Sequence, residues 1–447
     1  MKINLISLGC HKNLVDSENM LGILDKNENI EIVKDLKDAE VVIVNTCGFI
    51  NDAKEEAINT IISVSEEKKQ GKIKKIIVAG CLAQRYAEEL LEELPEIDGI
   101  VGTGELDKIE EVINDSFENK KTVKTERLDF LADSETARIV STYPHTAYLK
   151  IAEGCDNHCT YCIIPKLRGR YRSRTIEDII KEAKKLAKKG VRELSIIAQD
   201  TTDYGLDIYG ERALPKLLKE ITKINGIDWI RVFYTYPNNF TEELIKVIKE
   251  EDKIVKYADI PIQHVSDRVL KRMNRQDTFE SIKKKLNLIK KEIPNVVFRT
   301  SLIVGFPGET ELEFEELKEF VKEFKFDYAG IFNYSREEGT VADKLDGHLS
   351  DEERHARWQE LFDLQNEISD RKNIDFIGKE IEVIIDRESE EEEYLYEGRT
   401  RGQALDIDGI VFIDKGNAKI GEIVKVKIED SFSYDLIGGI VENEYTK

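Results

Sequence analysis

The stretch AYLKIAEGCDNHCTYC, residues 147–162, runs from an apolar strand pattern through Gly154 straight into three cysteines, Cys155-x-x-x-Cys159-x-x-Cys162. Working outward, strand followed by cysteine recurs three times upstream: NLISLGC ends on Cys10, VVIVNTC on Cys47 and KIIVAGC on Cys81. Any one such cysteine is by default a small buried hydrophobe. Three of them, each closing a strand in an alternating strand–helix series, imply that distant positions converge on the carboxyl edge of a parallel sheet, where the sites of such sheets gather. Gly9, Gly48 and Gly80 flank these cysteines and would let the backbone turn tightly around a bound group. The stretch SLGCHKNLVDSE then enters a helix, for which Asp16 or Ser17 is expected as the cap, a structural role only.

At 447 residues the chain is too long for one core, and two or three domains are expected. With 40% apolar and 35% charged residues it is a folded chain, not a disordered one. No stretch approaches the roughly 20 apolar residues of a membrane span, and the opening MKINLISLGC is too short in its apolar part for a signal sequence, so a cytoplasmic protein is expected. In that reducing setting six unequally spaced cysteines point to metal or catalysis instead of disulfides. The net charge of −22 argues against broad phosphate-backbone contact and suits a basic protein partner, although acidity for solubility alone is as common.

Strands are expected over 2–8, 41–45 and 75–79, with helices after each, giving a parallel sheet over 1–120. Residues 121–145 are polar and poorly periodic and read as a linker. A second series follows over 146–350, with strands at 147–152, 193–198, 229–234, 257–262, 296–304 and 328–333 and helices such as 176–189, 241–251 and 278–292. Six units are fewer than the eight of a closed barrel, so an open (β/α)6 partial barrel is expected, with its mouth at the strands' carboxyl ends. A charged helical linker spans 351–377. The tail, 378–447, shows short strands at 380–385, 410–413 and 423–428, the pattern of a small antiparallel barrel.

Thiolates ligate iron in cubane clusters, and three where four are usual leave one iron open to another ligand. Zinc also takes cysteine, but structural zinc closes with four ligands and each triplet supplies three. His158 would complete a zinc set only with strained geometry, and an exposed loop histidine is the plainer reading.

The triplet Cys155, Cys159, Cys162, with Tyr161 before its last thiol and at the head of a strand–helix series, resembles the radical S-adenosylmethionine (SAM) superfamily. The resemblance covers nearly the whole chain and narrows to the methylthiotransferases: an amino-terminal domain with three further cysteines, a radical SAM domain and a TRAM-like tail. It implies two [4Fe-4S] clusters as cofactors, one on Cys155, Cys159 and Cys162 and one on Cys10, Cys47 and Cys81. At the first, SAM would bind the open iron and yield a deoxyadenosyl radical that takes hydrogen from an unreactive carbon; the second would handle sulfur. The residues after Cys10 are His11-Lys12-Asn13, and GRTRGQALDIDGIVFI spans 398–413. Both are similar to the type that modifies an aspartate of small-subunit ribosomal protein twelve, whereas the transfer-RNA type usually carries Gln-Met-Asn after its first cysteine. An Ala-Pro pair usual in that tail is here Ala404-Leu405.

The implied partners are a basic ribosomal protein as substrate and an electron donor such as a flavodoxin or ferredoxin; the sulfur source is left open, and no membrane is implied. The cofactor-orienting candidates at the barrel mouth are Tyr161, Gln199, Asp200, Ser301 and Gly305. Gln263 lies among them, and His264 is expected as a satisfied structural histidine. Tyr394 and Tyr396 fit base stacking or a small barrel core equally. No specific role is expected for YSREEGT, 334–340. The tail holds 18 Asp and Glu against 9 Lys and Arg, densest at Glu390 to Glu393, a sign suited to a basic protein. The rivals are the same chemistry on transfer-RNA adenosine and, ranked lower, a non-catalytic cluster protein carrying electrons, since carriers usually supply four ligands.

Overall fold

The inner amino-terminal strands, such as Val41–Thr46 and Lys75–Ala79, are runs of β-branched and apolar residues buried on both sides, which is what a sheet covered on two faces requires. The structure, a computed structural model, describes residues 1–441; the end of the tail domain, 442–447, lies outside the described residues. Six parallel strands form the first sheet in the order Glu31–Ile32, Lys2–Ser7, Val41–Thr46, Lys75–Ala79, Gly99–Val101, Thr122–Lys124. Val42, Val44, Ile76 and Val78 face the helix Asn51–Lys69. Val41, Ile43 and Ile77 face the opposite way, against Met20 and Leu24 of the helix His11–Leu24 and Val112 and Ile113 of Ile109–Phe117.

The stretch expected as a linker begins with sheet: Thr122–Lys124 pairs in parallel with Gly99–Val101. Its pattern is polar because a three-residue edge strand is specified by backbone hydrogen bonds more than by an apolar face. Beyond it the chain threads between two domains. Arg138 donates to Glu18 and Glu182 at 2.8 Å each, and Ile139 N–H bonds the Glu18 carbonyl at 3.0 Å. Gly22 admits this passage, since a Cβ there would lie 2.3 Å from the Ala137 carbonyl carbon.

The central series forms six parallel strands hydrogen-bonded as two three-stranded sheets, Thr146–Lys150, Glu193–Ile197 and Trp229–Val232 in one, Tyr257–Asp259, Val297–Val304 and Tyr328–Asn333 in the other. The seam is carried by an Ile230–Ile254 bridge and by Thr235 N–H to the Asp259 carbonyl, 3.2 Å. Helices cover the outside with apolar faces such as Ile176, Ile179, Ala183 and Leu186. Thr175, Thr241, Thr278, Thr310 and Ser350 each cap a helix with a side-chain oxygen, worth about 1 kcal/mol apiece.

The tail is a closed barrel in the order Glu380–Glu388, Tyr396–Thr400, Val411–Lys415, Leu436–Ile440, Ile423–Ser431. It is antiparallel except where Val411–Lys415 runs parallel to Leu436–Ile440. The closure is tight: a Cβ on Gly398 would meet the Ile384 carbonyl at 2.4 Å and one on Gly438 the Lys427 carbonyl at 2.3 Å. Tyr396 packs against the barrel core and Tyr394 lies tilted against Phe412, 4.6 Å between centroids.

GRTRGQALDIDGIVFI docks this barrel onto the central domain. Arg399, buried, bonds Asp386 at 2.6 Å and pairs with Glu193 at 2.8 Å, while Arg231 donates to the Arg401 and Gln403 carbonyls. Ala404 packs among Tyr148, Trp229, Phe233 and Tyr257. Arg399→Met would leave Glu193 and Asp386 short of their shared cation in a buried place; a loss of about 3–5 kcal/mol is expected, read as a lower unfolding midpoint and faster proteolytic release of the tail.

Candidate active site between two cysteine triads

Each triad is built from short, backbone-determined turns. Cys10 stands at the N-cap position of His11–Leu24 without a side-chain cap bond, Cys47 follows Val41–Thr46, and Cys81 is the second residue of Gly80–Arg85. Gly9 and Gly80 take positive φ, 83° and 93°, and a Cβ on Gly9 would lie 2.6 Å from the Cys47 Cβ. Glycine is therefore required where the first two cysteines approach. Asp16 and Ser17 do not cap this helix. It starts six residues earlier than a cap at Asp16 would allow, and both are buried inside it.

The second triad sits on the loop after Ala152–Glu153. Thr160 N–H bonds the Met273 carbonyl at 3.0 Å, Thr160 Oγ1 the Arg272 carbonyl at 2.8 Å, and Asn274 Nδ2 the His158 carbonyl at 2.8 Å. His158 itself is exposed. The two triads meet through side chains: Cys81 packs with Ile163 and Leu167, which follow Cys162, and Arg168 Nη2 lies 3.3 Å from the Cys81 sulfur.

Beneath them lies a buried ionic network that sequence reasoning missed. Asp16 binds Lys150 and Arg168, and Glu153 binds Lys150 at 2.7 Å and Arg168 at 3.4 Å. Burial alone would raise the Glu153 carboxyl, but Lys150 and Arg168 outweigh it and hold it down at about 2. Lys150 and Glu153, charges inside an apolar run, were the available signal.

Of the cofactor candidates, Gln199 donates to Glu153, with its Oε1 left unpartnered. Asp200 accepts from Asn157 Nδ2 at 2.8 Å and Thr202 N–H at 2.9 Å, clamping the cysteine loop; burial, then Asp203, raise its carboxyl to about 6. Tyr161 is edge-on to Phe306 at 6.5 Å, and burial, with Cys159 beside it, keeps its phenol protonated. Ser301 lies across the seam, where its carbonyl accepts from Gln263 N–H at 2.9 Å. Gly305 has φ 71°, and the space where its Cβ would stand is filled by Arg354, 2.4 Å away, while Gly308 faces Arg272. These glycines make room for protein side chains. His264 is fully buried; its Nδ1 accepts from Ser266 N–H at 3.0 Å, and burial lowers its pKa to about 3. YSREEGT ties the first domain down: buried Glu337 binds Arg85 at 2.6 Å and Lys54 at 2.8 Å.

The donor sets fit iron–sulfur clusters. Burial pushes the Cys47 and Cys155 thiols up to about 12, so a metal must displace their protons to bind. Structural zinc closes with four ligands, and each triad supplies three thiols.

Comparison with known proteins agrees with this geometry. Family models match residues 149–321 (Radical SAM superfamily), 2–102 (Uncharacterized protein family UPF0004) and 377–441 (TRAM domain). The "Ribosomal protein uS12 methylthiotransferase RimO" of Clostridioides difficile is 52% identical over 99% of both chains. The protein of that name from Thermoanaerobacter is 49% identical over 98% of this chain and 99% of its own. Among solved structures the radical SAM methyltransferase TsrM from Kitasatospora setae shares the fold at TM-score 0.54 and 15% identity, over 74% of this chain and 72% of its own. With half its residues identical to these relatives from end to end, the chain belongs to the RimO family of radical SAM methylthiotransferases.

Proposed function

We propose that this chain adds a methylthio group to an aspartate side chain of ribosomal protein uS12, with Cys155, Cys159 and Cys162 holding the cluster that binds SAM and Cys10, Cys47 and Cys81 holding the second. Its cofactors are two [4Fe-4S] clusters and SAM: SAM supplies the radical and the methyl group, the second cluster handles the sulfur, and the sulfur source is left open. The observation that carries the reading is that Cys81 of one triad packs against Ile163 and Leu167, which directly follow Cys162 of the other, with Arg168 3.3 Å from its sulfur.

The protein's own part is to fix that contact. Asp16, Lys150, Glu153 and Arg168 lock the first domain to the barrel edge, and Asp200 holds Asn157 of the cysteine loop. Tyr161 and Gln199 border the SAM position in this reading, with Ser301 across the seam. The first domain, whose sheet runs on to Thr122–Lys124, and the domains 146–350 and 378–447 take sulfur handling, radical generation and substrate docking, joined by the passage after Lys124 and by 351–377. The exposed run Glu390 to Glu393 gives the tail a negative face for a basic protein. The electron donor in this reading is a flavodoxin or ferredoxin of the cytoplasm. Among the described residues no helix is long and apolar enough to cross a membrane.

The test is anaerobic incubation of reconstituted protein with SAM, reductant and sulfide, offered uS12 and transfer RNA together, followed by mass spectrometry. Methylthio addition to the uS12 aspartate is expected. Addition to transfer RNA alone would overturn the reading.

A further inference from the structure

Lys12 is the second residue of the helix that Cys10 opens, and only 8% of it is exposed. Its ammonium sits 3.2 Å from the centroid of the Tyr234 ring. The neighbouring buried cations Lys150 and Arg168 both bind Asp16 and Glu153. Lys12 has no such carboxylate among the described residues. A buried ammonium is costly unless paired, and a ring face offsets only part of that.

The surroundings are rigid. Tyr234 follows Trp229–Val232 at the barrel mouth with φ 58°, its N–H donating to Asp259 at 2.8 Å and its carbonyl accepting from Thr201 N–H at 3.0 Å. Beside it His11 stacks on Tyr148, 4.1 Å between centroids. Lys12 follows Cys10 of the first triad by two residues, and Tyr234, the ring beneath its ammonium, lies at the barrel mouth that carries the second triad.

We propose that Lys12, a cation buried over Tyr234 two residues after Cys10 and without a carboxylate partner among the described residues, receives the carboxylate of the substrate aspartate and so determines that an acidic side chain is the one modified. This rests on the uS12 reading above. The carboxylate of SAM is the other anion that would reach this region; the proposal commits to that of the substrate. A lysine suits the task as a point charge on a flexible stem that meets a carboxylate without demanding a planar fork.

The experiment is calorimetric binding of uS12 to cluster-loaded protein in the presence of SAM, comparing uS12 with Asp or Asn at the modified position. A charge-assisted bond lost on going to Asn corresponds to about 10- to 100-fold weaker binding by the unaltered protein. Lys12→Met should erase that difference, Lys12→Arg should retain part of it, and SAM affinity should not move. Iron and sulfide content of each variant reports whether both clusters are present. Equal binding of Asp and Asn forms by the unaltered protein overturns the proposal without recourse to any variant. So does undiminished discrimination by Lys12→Met, or an effect of that variant on SAM affinity alone. Failure of the unaltered protein to bind either form would instead remove the uS12 reading, and this inference with it.

Discussion

Cys159→Ala protein, reconstituted anaerobically, is expected to release no deoxyadenosine from SAM while still carrying iron at Cys10, Cys47 and Cys81. With one thiolate gone, only Cys155 and Cys162 remain for a cube that already lacks a fourth protein ligand. The loop should keep its shape, because it is held by backbone bonds that do not involve the sulfur: Cys162 N–H to the Cys159 carbonyl at 3.0 Å and Thr160 N–H to the Met273 carbonyl at 3.0 Å. Cys47→Ala should do the reverse. Its site is buried against Gly9, where alanine fits in place of cysteine. Deoxyadenosine should continue to form while methylthio product disappears. Chromatography of the nucleoside, iron analysis and mass spectrometry of uS12 separate the cases. Deoxyadenosine at the normal rate from Cys159→Ala, or full methylthio transfer by Cys47→Ala, would break the assignment of the triads.

The second large effect concerns the buried network. Asp16→Ala removes the carboxylate shared by Lys150 and Arg168 and leaves two cations with Glu153 alone. Truncating one member of a buried charge group is worth about 3–5 kcal/mol, and this one joins the first domain to the second. The expected result is a lower denaturant midpoint and earlier separation of the two domains, with the tail barrel unaffected. An unchanged midpoint would mean that water reaches the network. Acid should act in the same direction. Glu153 is held from 4.5 down to about 2, so its contribution is fully present above 4.5 and is lost as pH falls through about 2.

Strand positions were legible wherever apolar β-branched runs meet the core. Lys75–Ala79 and Tyr328–Asn333 have the expected bounds, because their own side chains carry the reason for being strands. Tyr396–Thr400 and Leu436–Ile440 did not stand out. The first buries Glu397 and Arg399 through ion pairs, and the second uses glycines to admit a neighbouring backbone. Neither cause lies in the strand itself.

The family and the carboxyl-edge placement of the cysteines are legible along the chain, since both depend on linear order: strand, glycine, cysteine, repeated. Tertiary structure alone decided what the other polar residues do. Asp16, a cap by local pattern, became the counter-ion of Lys150 and Arg168, 134 and 152 residues away. Gly305 and Gly308, open to a ligand by pattern, are filled by Arg354 and Arg272. Lys12, one charge in an ordinary helix, was left as a buried cation without a carboxylate among the described residues. The physical reason is that periodicity reports which face of an element is apolar, whereas a charge acquires its meaning only from the groups that folding brings within a few ångströms of it.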